Sequence, residues 1–427
     1  MADGRSSSLA TGATDERILV ARPQPLGVFP LPLGYMLIPA GGDTDAARGD
    51  LLAGRLPTSW PASMLAHQHA AAGQRDAAIA ALTQDPDSNT DPVTLYNRFV
   101  LDPDSVDPEH LRTVLGEFAV LMDVVLYALG RTDIPPRHPA GDGELTAAAL
   151  SAQASYALSL DDPGAAVDLL DQAAAEAAAV SAALAGTLLG DAAGICRDTG
   201  DPDCAARLLK ALVALDGADG LRVARAELHL CLAGVLHEQA QEHPERLPVA
   251  IPHYHSALQL IKREDAELIW AAAHSGLATA YLTMPMVEAS SQLRLGVAAQ
   301  SLRSALTVYT RDAYPREWAS VQLNLANSLV YTPTRHRVDN LVEAVEIYES
   351  VLETRDRGTD PMGRARVLAN QGNVLAHLGM FDDAKAKLYE ARFLFEELGD
   401  NDSVRTVRGV LDEIARERVL SSSEGDS

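Results

Sequence analysis

One eight-residue phrase recurs in the second half of this chain and limits what the chain can fold into. It begins with a small residue, has a large apolar residue four positions later, and ends three positions after that with another small or apolar residue. The clear copies are Ala250, Tyr254 and Ala257; Ala298, Leu302 and Ala305; Ala344, Tyr348 and Val351; and Ala384, Leu388 and Ala391. Because residues three and four apart lie on one face of an α-helix, each copy predicts a helix with a small-large-small stripe.

A second pattern precedes each copy and predicts a partner helix. In it, a small residue is followed three positions later by an apolar one: Ala233 and Leu236, Ala278 and Tyr281, Ala326 and Leu329, and Gly372 and Leu375. Two antiparallel helices approach closely where small side chains meet, and larger side chains one turn away fill the space beside them. Such a pair leaves one apolar face uncovered, so each pair has to stack on the next. Weaker copies of the first phrase begin at Ala78, Ala166 and Ala205.

The composition agrees with an all-α chain. Hydrophobic residues make up 47% of the sequence but aromatic residues only 5%, and Ala and Leu, which are strong helix formers, dominate the apolar share. The 35 Lys and Arg residues against 59 Asp and Glu residues give a net charge of −24. Because that charge repels phosphate groups unless basic residues are strongly localised on one face, we expect no nucleic-acid partner.

These patterns resemble the tetratricopeptide repeat (TPR) family. The spacing of the family signature is followed by Gly372, Leu375, Gly379, Ala384, Leu388 and Ala391, although the repeats here are longer than the family period of about 34 residues. The resemblance implies an all-α fold, a right-handed α-α superhelix of stacked antiparallel helix pairs. It also implies a concave groove, lined by the first helix of each pair, that binds a peptide or a protein.

The remaining segments are predicted in a simple order. Residues 1–16 are polar and expected to be disordered, residues 17–43 form a Pro-rich extended or polyproline II segment, and residues 44–140 form a divergent helical region. The repeat array covers residues 141–400, a capping helix covers 401–420, and a disordered tail covers 421–427. The apolar face of the capping helix consists of Val404, Val407, Leu411 and Ile414. Prolines and glycines at positions 135–143 predict the boundary before the array.

The Pro-rich segment carries the most apolar tract of the chain, but prolines interrupt it at five positions from 23 to 39. It therefore predicts neither a membrane helix nor a signal peptide, and we expect a cytoplasmic protein without a membrane partner. Two interpretations stay open for the segment. It is either a strap that packs on the helices of its own chain or a docking arm for another protein.

Two neighbouring first helices carry the same pair of asparagines. Asn324 and Asn327 lie two before and one after the small central residue of their helix, and Asn370 and Asn373 do so in the next. In the TPR family these positions face the groove, so the resemblance implies that the four amides bind a partner's backbone or carboxylate. An amide suits this role because it both donates and accepts hydrogen bonds.

Two further residues join this predicted partner-binding set. Arg366 lies four residues before Asn370 and His377 four residues after Asn373, so that each shares a helix face with an asparagine. The alternative interpretation is structural: helix interiors disfavour Asn, and these side chains would then bridge neighbouring helices inside the stack.

The sequence contains no motif for nucleotide binding, zinc hydrolysis or a nucleophilic serine, so we expect neither an enzyme nor a cofactor. Six histidines from His229 to His274 are spaced too loosely to predict a zinc site, and we expect no metal. The preferred function is a scaffold or adaptor that holds a protein or an extended peptide, such as an accessory or assembly factor of a multi-subunit complex. The alternative is a peptide-sensing regulator that controls an effector. The oligomeric state stays open, with a homo-oligomer among the options.

Overall fold

The computed structural model describes residues 29–31, 34–39, 42–84, 90–137, 143–284, 291–331 and 336–424. The predicted disordered N-terminus, residues 1–16, and residues 17–28 of the Pro-rich segment lie outside the described residues. The chain divides into two compact units, residues 1–266 and 267–427. No helix within these described ranges is long and apolar enough to cross a membrane.

The described residues form two short strands and nineteen α-helices. The first unit contains β1 (Phe29–Leu31), β2 (Gly34–Met36), α1 (Asp45–Leu52), α2 (Leu65–Ala71), α3 (Arg75–Gln84), α4 (Pro92–Leu101), α5 (Pro108–Leu115), α6 (Val120–Ala128), α7 (Glu144–Ser159), α8 (Pro163–Ala178), α9 (Ala182–Thr199), α10 (Cys204–Ala214), α11 (Arg222–Gln239) and α12 (Leu247–Leu260). The second unit contains α13 (Glu267–Thr283), α14 (Ser291–Leu306), α15 (Pro315–Tyr331), α16 (Arg337–Leu352), α17 (Pro361–His377), α18 (Phe381–Leu398) and α19 (Asn401–Glu424).

The described part of the Pro-rich segment is a β-hairpin that packs on its own chain. Strands β1 and β2 are antiparallel, with Phe29 opposite Met36. The N–H of Leu37 donates to Asn97 Oδ1 at 2.8 Å, and its carbonyl accepts from Asn97 Nδ2 and from His67 Nε2, each at 2.8 Å. Asn97 therefore pairs with the Leu37 backbone much as a neighbouring strand would. For these residues the backbone is a hairpin rather than polyproline II.

The boundary predicted at residues 135–143, between the divergent region and the repeat array, lies inside the first compact unit. Helix α6 packs against α7 across that connection. Leu121 and Val125 of α6 lie in the same buried cluster as Ala148 and Ala152 of α7. Because α6 is apolar on most of its surface, it needs cover that α7 supplies, and the prolines between them do not separate two cores. The division falls instead between residues 266 and 267.

Helices α7 to α12 form three successive antiparallel pairs in the first unit. Within the middle pair, the small-large-small stripe is displaced by one residue from the copy predicted to begin at Ala205. The buried residues are Cys204, Leu208 and Ala211, whereas Leu209 is 49% exposed. Cysteine takes the small position here because its side chain is nearly as compact as that of alanine and is readily buried.

Helices α13 to α18 form three further pairs in the second unit, and their stripes lie where the sequence predicts. The alanines that begin the phrases are fully buried, and the large residues that follow are at most 1% exposed: Ala298, Ala344 and Ala384, then Leu302, Tyr348 and Leu388. A Cβ atom on Gly372 of α17 would lie 2.7 Å from Leu388 Cγ of α18. The predicted fold class is thus confirmed: α7 to α12 in the first unit and α13 to α18 in the second are stacked antiparallel helix pairs, the TPR-like architecture of an α-α superhelix.

Helix α19 covers the last pair. Its apolar face, Val404, Val407, Leu411 and Ile414, is buried, and the helix packs against α18 and α17. The helix continues to Glu424, so the segment predicted as a disordered tail, residues 421–427, begins in helix. Residues 425–427 are outside the described part.

Candidate functional site

A cleft of about 320 Å³ opens in the second unit where the first helices of three successive pairs, α13, α15 and α17, lie side by side. Polar side chains line much of it, and these are Thr279, Thr283, Asn324, Asn327, Tyr331, Tyr348, Asn370 and Asn373. The apolar lining consists of Leu282, Val330 and Val374. The cleft therefore gathers all four asparagines that the sequence singles out.

The helical repeat explains why these residues share one cleft. On α15, Asn324, Asn327 and Tyr331 are spaced three and four apart and so lie on one face. Asn370 and Asn373 are spaced in the same way on α17. Because each pair of helices stacks on the next in the same manner, these faces adjoin one another.

Three of the asparagines bridge neighbouring first helices. Asn324 Nδ2 donates to Thr279 Oγ1 of α13 at 3.3 Å. Asn370 Nδ2 donates to Asn327 Oδ1 at 3.1 Å, which joins α17 to α15. The structural role that the sequence left open is therefore present, and the same side chains also line the cleft.

Tyr348 of α16, the second helix of its pair, also contacts the asparagines. Its hydroxyl donates to Asn327 Oδ1 at 2.6 Å. Burial, with a smaller contribution from the neighbouring Tyr331, raises the pKa of Tyr348 above its usual range. The hydroxyl therefore keeps its proton near neutral pH and acts as the donor in this bond.

Asn373 is different from the other three. Its amide is partly exposed and has no hydrogen-bond partner among the described residues, and the same holds for the Nδ2 group of Asn327. Neither the Asn373 amide nor Asn327 Nδ2 is among the unpaired polar atoms that are fully buried in the described chain. The cleft thus presents amide groups that are open to solvent and available to a ligand.

Arg366 and His377 are not in the cleft. Both are exposed, and neither is among the residues that line it. Arg366 lies close enough to Asp400 to help lower the pKa of that carboxyl, although hydrogen bonds from Ser403 lower it more. The residues of α17 that line the cleft lie in the middle of the helix. Residues one helical turn closer to either end of α17, such as Arg366 and His377, lie outside it. The partner-binding role predicted for these two residues therefore has no support from their positions.

Several lining residues were not predicted from the sequence. Thr279 had a signal, because it follows the small residue Ala278 of α13 as Asn327 follows Ala326 of α15. Tyr348 was predicted only as a large core residue, and nothing in the sequence shows that its hydroxyl reaches the cleft. Tyr331, which is 66% exposed, stands at the end of α15 without a motif of its own.

Two of the six histidines between His229 and His274 form a hydrogen-bonded pair. His229 Nδ1 of α11 and His253 Nδ1 of α12 are 2.9 Å apart. Burial, with smaller contributions from His253 and Arg225, lowers the pKa of His229 to about 4, so near neutral pH one neutral ring donates to the other. In the ranges that the structure describes, no three His, Cys, Asp or Glu side chains are grouped as a metal site would need.

Comparisons with known proteins do not show a family for this chain. No protein-family model matches the chain, and no curated protein matches it. Among solved structures, it is similar to a chain of the human IFIT1 dimer with PPP-AAAA, at 13% sequence identity, with 88% of this chain and 96% of the other covered and a TM-score of 0.37.

That finding corrects one expectation. The IFIT1 structure holds the RNA PPP-AAAA, which contradicts the prediction that this chain has no nucleic-acid partner. The prediction was based on the net charge of −24, which is a sum over the whole chain, whereas binding depends on the potential at one surface. The net charge therefore does not exclude a nucleic-acid partner.

Proposed function

We propose that this protein is a TPR-family scaffold or adaptor that holds an extended segment of a partner protein in the cleft between α13, α15 and α17. The observation that carries the proposal is the amide of Asn373, together with Nδ2 of Asn327. Both line the cleft and have no hydrogen-bond partner in the described chain. An extended peptide backbone offers a carbonyl and an N–H to such amides.

The proposal includes a non-catalytic role, such as an accessory or assembly factor of a multi-subunit complex, in the cytoplasm. None of the eleven side chains that line the cleft is an Asp, Glu, Lys, Arg, His or Cys. General acid–base and nucleophilic catalysis near neutral pH mostly use such side chains. The chemistry of this lining suits binding better than turnover.

A peptide-sensing regulator is the second candidate function. The volume of about 320 Å³ fits it, because that size is near the lower end for pockets that enclose a ligand, about 300–1,000 Å³. A cleft of this size holds a short segment, whether that segment is a free peptide or part of a larger protein.

Site-specific photocrosslinking in native lysate tests the proposal. Tyr331 stands exposed in the cleft lining, and we place the photoreactive analogue p-benzoylphenylalanine at this position. The matched control places the same analogue at Tyr389 of α18, which is 49% exposed and is not part of the cleft lining. We expect a specific crosslinked partner from position 331 only, and we expect it to be lost when Asn373→Ala is added.

The readouts separate the candidates. An intact protein of defined mass supports the scaffold, whereas only short peptides support the sensor. Equal crosslinking from both positions, or crosslinking at 331 that does not respond to Asn373→Ala, would show that the cleft is not the binding site. Because Asn373 makes no hydrogen bond within the described chain, its substitution is expected to leave helicity unchanged.

A further inference from the structure

The hydrogen bonds around Asn327 determine which way its amide faces. Asn327 Oδ1 accepts from the hydroxyl of Tyr348 at 2.6 Å and from Asn370 Nδ2 at 3.1 Å. A carbonyl oxygen has two lone pairs, so both are used. Turning the amide over would put its Nδ2 against the Nδ2 of Asn370, and two donors would then face each other. Asn327 therefore presents only its N–H groups to a ligand.

The two neighbouring asparagines, by contrast, each have an amide oxygen that accepts no hydrogen bond. Asn370 donates one N–H to Asn327 Oδ1, and Asn324 donates one N–H to Thr279 Oγ1. Thr279 in turn donates its hydroxyl proton to the carbonyl of Ser275 at 2.9 Å, which leaves its oxygen to accept. Within the described residues no donor reaches Oδ1 of Asn324 or of Asn370. These two oxygens are acceptors for a ligand.

The cleft thus offers donors and acceptors but no ionised group. Its donors include Asn327 and Asn373, its acceptors include Asn324 and Asn370, and Arg366 lies outside the lining. A carboxylate that entered would lose water without gaining a cation and would meet two carbonyl oxygens, which is unfavourable. A peptide group has one donor, one acceptor and no charge, so its hydrogen-bonding groups match the cleft.

We propose that the cleft takes an uncharged stretch from within an extended chain rather than a C-terminal carboxylate, and that Tyr348 is a positioning residue that keeps Asn327 in its donor orientation. This inference rests on the proposed function, because it names the chemistry of the segment bound at the same site. Leu282, Val330 and Val374 supply an apolar wall for an aliphatic side chain of that segment.

Two matched peptide libraries test the charge of the segment. Both consist of N-acetylated hexapeptides made from Gly, Ala, Ser, Thr, Val and Leu, and they differ only in a C-terminal amide or a free carboxylate. Binding of the full-length protein is measured for each library and then by calorimetry for the best sequences. We expect the amidated peptides to bind at least about tenfold more tightly, which corresponds to about 1.4 kcal/mol.

Affinities of variants test the role of Tyr348. Tyr348→Phe removes one hydroxyl and is expected to weaken binding of the best amidated peptide about fivefold, whereas Tyr389→Phe on α18 serves as a control and changes nothing. Asn327→Asp keeps an oxygen for Tyr348 but removes both donors, so binding is expected to weaken more than in Tyr348→Phe while staying measurable at high peptide concentration. In an Asn327→Ala background, Tyr348→Phe is expected to have no further effect, which a purely structural role would not produce.

The outcomes distinguish this inference from the proposed function. If the free-acid peptides bind as well as or better than the amidated ones, with Asn373→Ala still abolishing binding, the uncharged-segment inference is wrong and the binding cleft stands. If Tyr348→Phe weakens binding equally in the wild-type and Asn327→Ala backgrounds, the positioning role is wrong. If neither library binds, the peptide-binding function itself is contradicted.

Discussion

Replacing Gly372 by alanine tests the close packing on which the helix pairs depend. Gly372 lies inside α17 with an ordinary helical backbone, so alanine fits the backbone without strain. Its new Cβ would meet Leu388 Cγ at 2.7 Å, Leu388 Cδ2 at 3.0 Å and the carbonyl oxygen of Ala384 at 3.2 Å. Comfortable contacts between carbon atoms are about 3.5–4.0 Å. Because Leu388 is buried and Ala384 presents backbone, neither moves aside easily.

The size of the effect follows from two opposing contributions. Overpacking of a filled core costs about 1–3 kcal/mol. Replacing glycine by alanine in a helix interior contributes about 1 kcal/mol in the other direction. Gly409 in α19 is a matched control, since it lies in the same unit, is exposed, and has no atom of the described chain within 4 Å of an added Cβ. Gly409→Ala should show the helix contribution alone.

The measurement is urea unfolding followed by far-ultraviolet circular dichroism for the wild type and both variants. We expect Gly409→Ala to stabilise the protein by about 1 kcal/mol. We expect Gly372→Ala to be less stable than Gly409→Ala by the overpacking cost, about 1–3 kcal/mol. In a Leu388→Ala background most of that difference should disappear, because the atoms that the new Cβ meets are gone.

One result would refute this reasoning. If Gly372→Ala raises the free energy of unfolding as much as Gly409→Ala does, then the α17–α18 contact does not require a residue without a side chain. The small central position of the repeat would then not set the distance between the two helices.

Two further predictions concern the first unit. Asn97→Ala leaves the buried N–H of Leu37 unpaired, which costs about 1–3 kcal/mol. We expect faster hydrogen exchange at the Leu37 amide but not in α17. Unchanged exchange at Leu37 would contradict the stabilising role of the hydrogen bonds between Asn97 and Leu37. Burial, with smaller contributions from His253 and Arg225, lowers the pKa of His229 from 6.5 to about 4. Between these two pH values the unfolded chain binds a proton at this residue that the folded chain does not. The free energy of unfolding is therefore highest above about pH 6.5, as far as His229 determines it, and falls as the pH drops toward 4. We expect His229→Gln to flatten the pH dependence of the urea midpoint between pH 7 and 4.5; an equal slope in the variant and the wild type would contradict the assignment.

The cleft supports a proposal through the atoms that line it. The crosslinking and peptide experiments address the cleft directly, and neither depends on what IFIT1 binds.

The sequence by itself determined the helix pairs and which residues meet inside each pair. Ala384, Leu388 and Gly372 are close together in the chain, and the helical period places each on a known face. The matching positions of the four asparagines were also visible, because each is counted from the small residue at the centre of its own helix. One-residue displacements, as at Cys204, arise where a different small residue takes the alanine position.

Only the tertiary structure decided how those faces combine. The hydrogen bonds from Asn370 to Asn327 and from Asn324 to Thr279 connect residues 43 and 45 positions apart in the chain. The hydrogen bond from Leu37 to Asn97 connects residues 60 positions apart. Helical periodicity sets the direction of a side chain around its own axis, but the height at which two helices meet depends on the sizes of all the side chains between them. For this reason Arg366 and His377 share a face with the asparagines and still lie outside the cleft, while the hydroxyl of Tyr348 reaches the asparagines from a residue predicted only as core.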